Sequence, residues 1–393
     1  MIKKLPIIRP KISIKDIILS LKLTHNKSVA ADFTAVLADF WGTRNVYLTN
    51  SGIAAFYLIL QALKDKSDKK EVVLPAYTAG SLVVAVRKAG LKVVLCDVSL
   101  EDFNANTQAL LQAISPDTLA VVAVHMFGVP IGDIAELKIK IPREVWLIED
   151  CAQAMGTRIL DKPVGSFGDI SFFSFKRGKN FPIFGGGCIV SQNQNIAGQL
   201  EYFLSGLNQP GCLNGLVSFA KSLGYLVGTN PYVYGLGFPL ISHFKETVPS
   251  SDFSVKKLDY FEAGLGLTLM KNVDALFLSR YKKGTVLLEG LKDVPGIVLP
   301  KIPPKTLPVF NRIPILCEDI EVLKRVEKKL WQKGIDSSRL YLEPLHHRFE
   351  LGYKATDFPN AVYLARHLLT LPVYPGLTDK DLEKIIDTVR ESL

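Results

Sequence analysis

Leu119-Ala-Val-Val-Ala-Val124 and the stretch that follows it, Val145-Trp-Leu-Ile-Glu-Asp150, decide the fold. Neither alternates polar with apolar residues, as a strand with one wet face does. A strand apolar on both faces needs cover on both faces. A parallel sheet between two helix layers supplies it. Working outward, Val46-Tyr-Leu-Thr49 precedes a helix-like 54–63, and Glu71-Val-Val-Leu74 precedes 81–89. Lys92-Val-Val-Leu95, Ile170-Ser-Phe-Phe-Ser-Phe175 and Cys188-Ile-Val-Ser191 complete the set. The pattern predicts an α/β chain with a large domain at 28–255, its mostly parallel sheet lying between helices. A smaller C-terminal α+β domain with a connecting helix is expected at 256–393, with a strand at 313–316 and helices at 320–333, 360–369 and 379–393. Residues 196–250 form an atypical apolar insertion whose Gly and Pro content is expected to break any long helix.

The chain has 393 residues, 48% hydrophobic and 22% charged, enough for a sizeable core. No uncharged apolar run approaches the roughly 18 residues a spanning helix needs. Ile17-Ile18-Leu19-Ser20-Leu21 is cut short by Lys22 and lacks a small-residue cleavage site, so no secretory signal is expected. Cys96, Cys151, Cys188, Cys212 and Cys317 are widely spaced with no CxxC pair. They read as reduced thiols of a cytoplasmic protein, and the six histidines lack ligand spacing, so no metal is expected. Net charge is +9, and residues 1–27 carry seven lysines and arginines against Asp16. This reads as a basic, solvated N-terminal arm; the sharper alternative is peripheral contact with anionic lipid or an acidic partner. Aromatics are not interleaved with these cations and no helix-turn-helix fits the arm, so nucleic acid is not expected.

Asp150 ends an apolar strand, where open α/β sheets place ligands. Taken alone it reads better as a helix N-cap. Phe173-Ser-Phe-Lys-Arg-Gly-Lys-Asn-Phe-Pro-Ile-Phe-Gly-Gly-Gly187 sets Lys176, Arg177 and Lys179 between apolar runs. A lysine nucleophile must be partly desolvated near a carbonyl, and Lys179 falls on a loop after a strand where that is achievable. Taken alone, it reads as a solvated charge.

The motifs carry more when taken together. Trp146-Leu-Ile-Glu-Asp-Cys-Ala-Gln-Ala-Met-Gly156, Val164-Gly-Ser-Phe-Gly-Asp-Ile170 and Phe173-Ser-Phe175, with Lys179-Asn180 beyond, resemble the DegT/StrS family of sugar aminotransferases. Thr49-Asn-Ser-Gly-Ile-Ala-Ala55, Val73-Leu-Pro-Ala-Tyr-Thr78, His125-Met-Phe-Gly128 and Leu371-Pro-Val-Tyr-Pro-Gly-Leu-Thr378 agree in order and spacing. These are fold-type I enzymes that use pyridoxal 5'-phosphate. The resemblance implies that Lys179 binds the cofactor covalently and that Asp150 pairs with its ring nitrogen. It implies that Gln153 lies by the ring hydroxyl, and that Ser51, Gly52, Ile53 and Ser174 hold the phosphate. Tyr77, His125, Tyr341 and His346 are implied to line the site. It also implies a homodimer, with glutamate as donor and a keto-sugar, carried on a nucleotide, as acceptor. The reaction is expected to be ping-pong. The alternatives are a sugar dehydratase, whose family members lose the lysine, and a non-catalytic binding protein.

Four positions depart from the family pattern. Ile53 replaces a hydroxyl residue, Ala79 replaces a stacking aromatic for which Tyr77 is a substitute, and Gly185-Gly186-Gly187-Cys188 lacks the usual acid. The Asn-Tyr-Arg-like segment that one subunit lends to the other is replaced around Phe253-Ser-Val-Lys-Lys257. Lys176 and Arg177 are read either as a supplement to the phosphate pocket or as exposed loop cations.

Overall fold

The computed structural model describes residues 3–241 and 252–393. Seven strands form the main sheet: β1 (Val46–Thr49), β2 (Glu71–Pro75), β3 (Lys92–Cys96), β4 (Thr118–Val124), β5 (Trp146–Asp150), β6 (Ile170–Ser174) and β7 (Gly187–Ser191). Their order is β1-β7-β6-β5-β4-β2-β3. All neighbours run parallel except β7, which is antiparallel to both β1 and β6. Every residue of β2, β4, β6 and β7 is buried, as two-faced apolar strands require.

This topology sends β1, β2, β4, β5 and β6 to the same sheet edge with their carboxyl ends. Ser51, Tyr77, His125, Asp150 and Ser174 all lie on or just past those ends. The antiparallel β7 brings its first residue to that edge too, and Gly187 is paired with both Thr49 and Ser174. A Cβ at Gly187 would lie 2.5 Å from the Gly52 backbone N and 2.6 Å from the Phe173 carbonyl O. Rigid backbone cannot yield at that distance. Gly187→Ala is therefore expected to cost about 1–3 kcal/mol, lowering the urea midpoint with an unchanged slope. An unchanged midpoint would show that these strand ends do not converge as described.

A second core joins Leu287 and Leu291 to Ile313, Ile315, Leu323, Val326, Leu369 and Ile385. Its sheet contains Ile297–Val298, Ile313–Cys317 and Leu368–Leu371, in that order. The helix expected at 360–369 ends at His367, and the chain passes directly into this strand.

Two expectations are corrected. Residues 3–27 are not a solvated arm: Leu5 N–H donates to the Gly334 carbonyl at 2.8 Å and Asp336 N–H to that of Leu5 at 2.8 Å. Helix Ile14–Leu23 follows, closed by a Ser13/Asp16 capping box, with Ile17 buried. Apolar side chains at Leu5, Ile12 and Ile17 overrode the charge count.

The described part of the insertion is also not loop-like. It forms helices Ala197–Ser205, Cys212–Gly228 and Pro231–Ile241. Gly224 and Gly228 face open space, and a helical glycine costs only about 1 kcal/mol against alanine. Packing of Phe219, Leu223 and Leu226 on the main core outweighs it. Pro231 stands at the first position of its helix, where no N–H is needed. The remainder of this region, 242–251, lies outside the described residues. No helix among them is long and apolar enough to cross a membrane.

Candidate active site

Asp150 closes β5. Its backbone carbonyl accepts from His125 N–H at 3.1 Å, and its Oδ1 accepts from Ala152 N–H at 2.9 Å. Burial raises its carboxyl above the ordinary range, opposed by the Ala152 N–H and by the charge of Lys179.

Lys179 sits on the β6–β7 loop, its N–H donating to the Lys176 carbonyl at 3.0 Å. Phe175 and Phe181 pack edge to face at 5.7 Å on either side, and the Asn180 amide donates to the Val309 carbonyl. Burial pulls the Lys179 amine down to about 8; the Asp150 charge pushes it up, and Arg312 and Lys176 push it further down. The amine is thus partly unprotonated near neutral pH, as a lysine nucleophile requires. Labelling of Lys179 by an amine-directed acylating reagent in the cofactor-free protein should rise with a midpoint near pH 8. A midpoint at the ordinary lysine value of 10.5 would contradict the burial described here.

Ser51 is the N-cap of helix Gly52–Lys64, its Oγ accepting from Ala54 N–H at 3.3 Å. A Cβ at Gly52 would lie 2.8 Å from that of Ser174, so the helix start abuts the end of β6. First-turn N–H groups and two serine hydroxyls therefore converge at the positive end of a 13-residue helix, an arrangement suited to a phosphate. Ile53 adds only its backbone donor. Asn50 fastens the segment with the four departures' last member: its Nδ2 donates to the Ser254 carbonyl at 3.1 Å and its Oδ1 accepts from Lys256 N–H at 3.0 Å.

Gln153 Nε2 donates to Tyr341 Oη at 3.3 Å, and its Oε1 accepts from Phe127 N–H at 3.3 Å and from Asn311 Nδ2 at 3.4 Å. Tyr341 meets Tyr77 edge to face at 5.4 Å. The Tyr77 hydroxyl is buried with no partner among the described residues.

His125 belongs to the scaffold beneath the site. Its Nδ1 accepts from Ile131 N–H at 3.1 Å, which leaves the proton on Nε2 to donate to Glu149 Oε2 at 3.1 Å. Glu149 also accepts from the N–H groups of Gly165, Phe167 and Gly168 at 2.8, 2.7 and 2.6 Å. Burial works to raise the Glu149 carboxyl, but His125 and these amides outweigh it and hold it low. Cys151 Sγ lies within 4.8 Å of both, yet their lone pairs are engaged and burial lifts its thiol well above the usual range. His125 and Glu149 thus form a hydrogen-bonded pair beneath the site. His346 packs on His347 at 4.3 Å and Phe358 at 5.2 Å, with its helix docked through Leu345 N–H on the Ala76 carbonyl.

One sheet edge thus holds Ser51, Gly52, Tyr77, Asp150, Gln153, Ser174, Lys179 and Tyr341. Lys176 and Arg177 are exposed, the Arg177 guanidinium lying 5.7 Å over the Tyr225 ring. Sequence reasoning missed two residues. Glu262 is one: a Cβ at Gly185 would lie 2.1 Å from its Oε1, so a second acid at 185 has no room. Burial pushes the Glu262 carboxyl up to about 8. Arg312 is the other, a guanidinium whose charge is felt by Lys179, Tyr77 and Tyr341. Its neighbours Asn311-Arg312-Ile313 give only the signal of a strand start.

The sequence pattern described as the DegT/DnrJ/EryC1/StrS aminotransferase family matches residues 12–390. A dTDP-4-amino-4,6-dideoxy-D-glucose transaminase of Shigella dysenteriae is 27% identical, covering 94% of this chain and 92% of that protein. A dTDP-4-dehydro-2,6-dideoxy-D-glucose 3-dehydratase of Saccharopolyspora spinosa is 25% identical, covering 92% of this chain and 79% of that protein. Among solved structures, Helicobacter pylori PseC, an aminotransferase involved in the biosynthesis of pseudoaminic acid, superposes with a TM-score of 0.80 at 19% identity, covering 99% of each chain.

Proposed function

From the premise that this chain belongs to the DegT/DnrJ/EryC1/StrS aminotransferase family and uses pyridoxal phosphate, we propose that it moves an amino group from glutamate to the keto group of a nucleotide-linked sugar. The observation that carries this reading is the half-buried Lys179, its amine drawn down to about 8, at the sheet edge that also holds Asp150. Relatives whose names specify nucleotide sugars support the acceptor class.

The residues present fit the cofactor. The start of helix Gly52–Lys64 with Ser51 and Ser174 suits its phosphate, Asp150 its ring nitrogen, Gln153 its ring hydroxyl and Lys179 its aldehyde. When bound, the cofactor supplies an aldehyde that captures amines and a ring that accepts electrons from a neighbouring C–H bond. Asp150, whose carboxyl burial raises, would pair with the ring nitrogen, and a proton held there would favour the charged carboxylate in turn. Lys179 Nζ would take the proton from the donor's Cα as general base and return it as general acid to the carbon on the far side of the nitrogen.

Incubating the cofactor-loaded protein with glutamate alone should release one equivalent of 2-oxoglutarate per site, and adding a dTDP- or UDP-linked keto-sugar should then restart turnover. Release of water from the sugar with no 2-oxoglutarate would shift the reading to a dehydratase. We propose a homodimer as well, in which a second copy covers exposed Leu213, Leu216 and Val217 of helix Cys212–Gly228. Light scattering at micromolar protein should then give twice 43.4 kDa; the single-chain mass would contradict it.

A further inference from the structure

Arg312 is a half-buried cation with no ion pair among the described residues, and two of its guanidinium nitrogens are buried. Its Nε and Nη1 have no hydrogen-bond partner among the described residues. Asp336, a carboxylate whose charge acts on Arg312, is occupied: it accepts from Tyr234 Oη at 2.7 Å and from Ile7 N–H at 3.2 Å. A partly desolvated guanidinium left unpaired is costly. Such a group persists when something outside the chain completes it.

Its backbone is fixed on the active site from two sides. Asn180, next to Lys179, donates to the Val309 carbonyl, and Asn311 donates to Gln153. Val309 N–H in turn donates to Thr157 Oγ1 at 2.9 Å. The guanidinium therefore stands among Lys179, Tyr77, Tyr341 and Tyr225, and the Tyr77 hydroxyl is likewise unpartnered. A planar fork of donors matches a carboxylate or phosphate in two-point contact.

The cofactor phosphate already has its place at the start of helix Gly52–Lys64. The phosphates of a nucleotide sugar are a sugar ring away from the reacting carbon. An amino donor's carboxylate is on the reacting carbon itself, so it must lie beside Lys179. Resting on the donor reading above, we propose that Arg312, with the Tyr77 hydroxyl as a second donor, is the subsite that grips the amino donor's carboxylate.

The test uses the cofactor-loaded protein with glutarate, a dicarboxylate that has no amine and cannot react, and UDP as the phosphate probe, both by calorimetry. Arg312→Gln should weaken glutarate about 10- to 100-fold, the range of hydrogen bonds to a charged group. Arg312→Lys should recover part of that loss, and UDP affinity should stay within about twofold. Tyr77→Phe removes only the orphan hydroxyl, so the fold is retained, and it should weaken glutarate about 2- to 10-fold. Equal glutarate binding in wild type, Arg312→Gln and Tyr77→Phe would overturn the proposal. So would no glutarate binding by wild type, or a loss confined to UDP. If wild type leaves glutamate unconverted yet binds glutarate through Arg312, the subsite stands and glutamate falls as the donor.

Discussion

Lys179→Ala is expected to abolish amino transfer, lowering single-turnover release of 2-oxoglutarate by on the order of 10³-fold or more. The variant loses the amine that meets the cofactor and the base that moves the Cα proton, and no second lysine is placed to replace it. Lys176, three residues earlier, is exposed on the same loop. The fold should not suffer. Burial of the Lys179 amine opposes its charged form, so truncation removes a desolvation cost along with the side chain. The thermal midpoint of the cofactor-free variant should equal or exceed that of wild type. Residual single-turnover release above about one tenth would mean that another group moves the proton.

Asp150→Asn is the second large effect. Asparagine keeps the shape and still accepts from Ala152 N–H, but it carries no charge to keep a ring nitrogen protonated. Amino transfer should fall on the order of 10²- to 10³-fold, the usual size for one preorganised electrostatic group. The same change also acts on stability, with a definite sign. Burial raises the folded-state carboxyl of Asp150 above its unfolded value of 3.8. As pH rises, the unfolded chain therefore releases this proton first, and wild type loses stability until the folded carboxyl ionises too. Asparagine does not titrate. In the cofactor-free protein, the urea midpoint of the variant should gain on wild type as pH climbs from below 3.8 to neutral. A variant that loses ground with rising pH would show that the charge of Lys179, not burial, dominates at Asp150.

Much of this arrangement was legible in the chain because the strands are apolar on both faces. Val145–Asp150 reads as covered on both sides, and Asp150 therefore falls at a strand's carboxyl end. Lys179 was legible only in the company of the ordered motifs. What escaped depends on placement in three dimensions. Glu149 and Asp150 are adjacent in sequence, yet alternation along a strand sends them to opposite faces. One reaches His125 and three amides, and the other faces Lys179. Arg312 looks like any cation at a strand start, since its lack of a partner is a property of the packed site. The helix Cys212–Gly228 was hidden by glycines that face open space, and the docking of residues 3–27 by a charge count that ignored Leu5, Ile12 and Ile17.

The central claim is that Lys179 is the reactive amine. The measurement that tests it most directly is borohydride reduction of the cofactor-loaded protein, followed by peptide mass mapping. This account predicts a single pyridoxyl adduct on Lys179, absent from the Lys179→Ala variant. No adduct, or one carried by Lys176 in the wild-type protein, would contradict it.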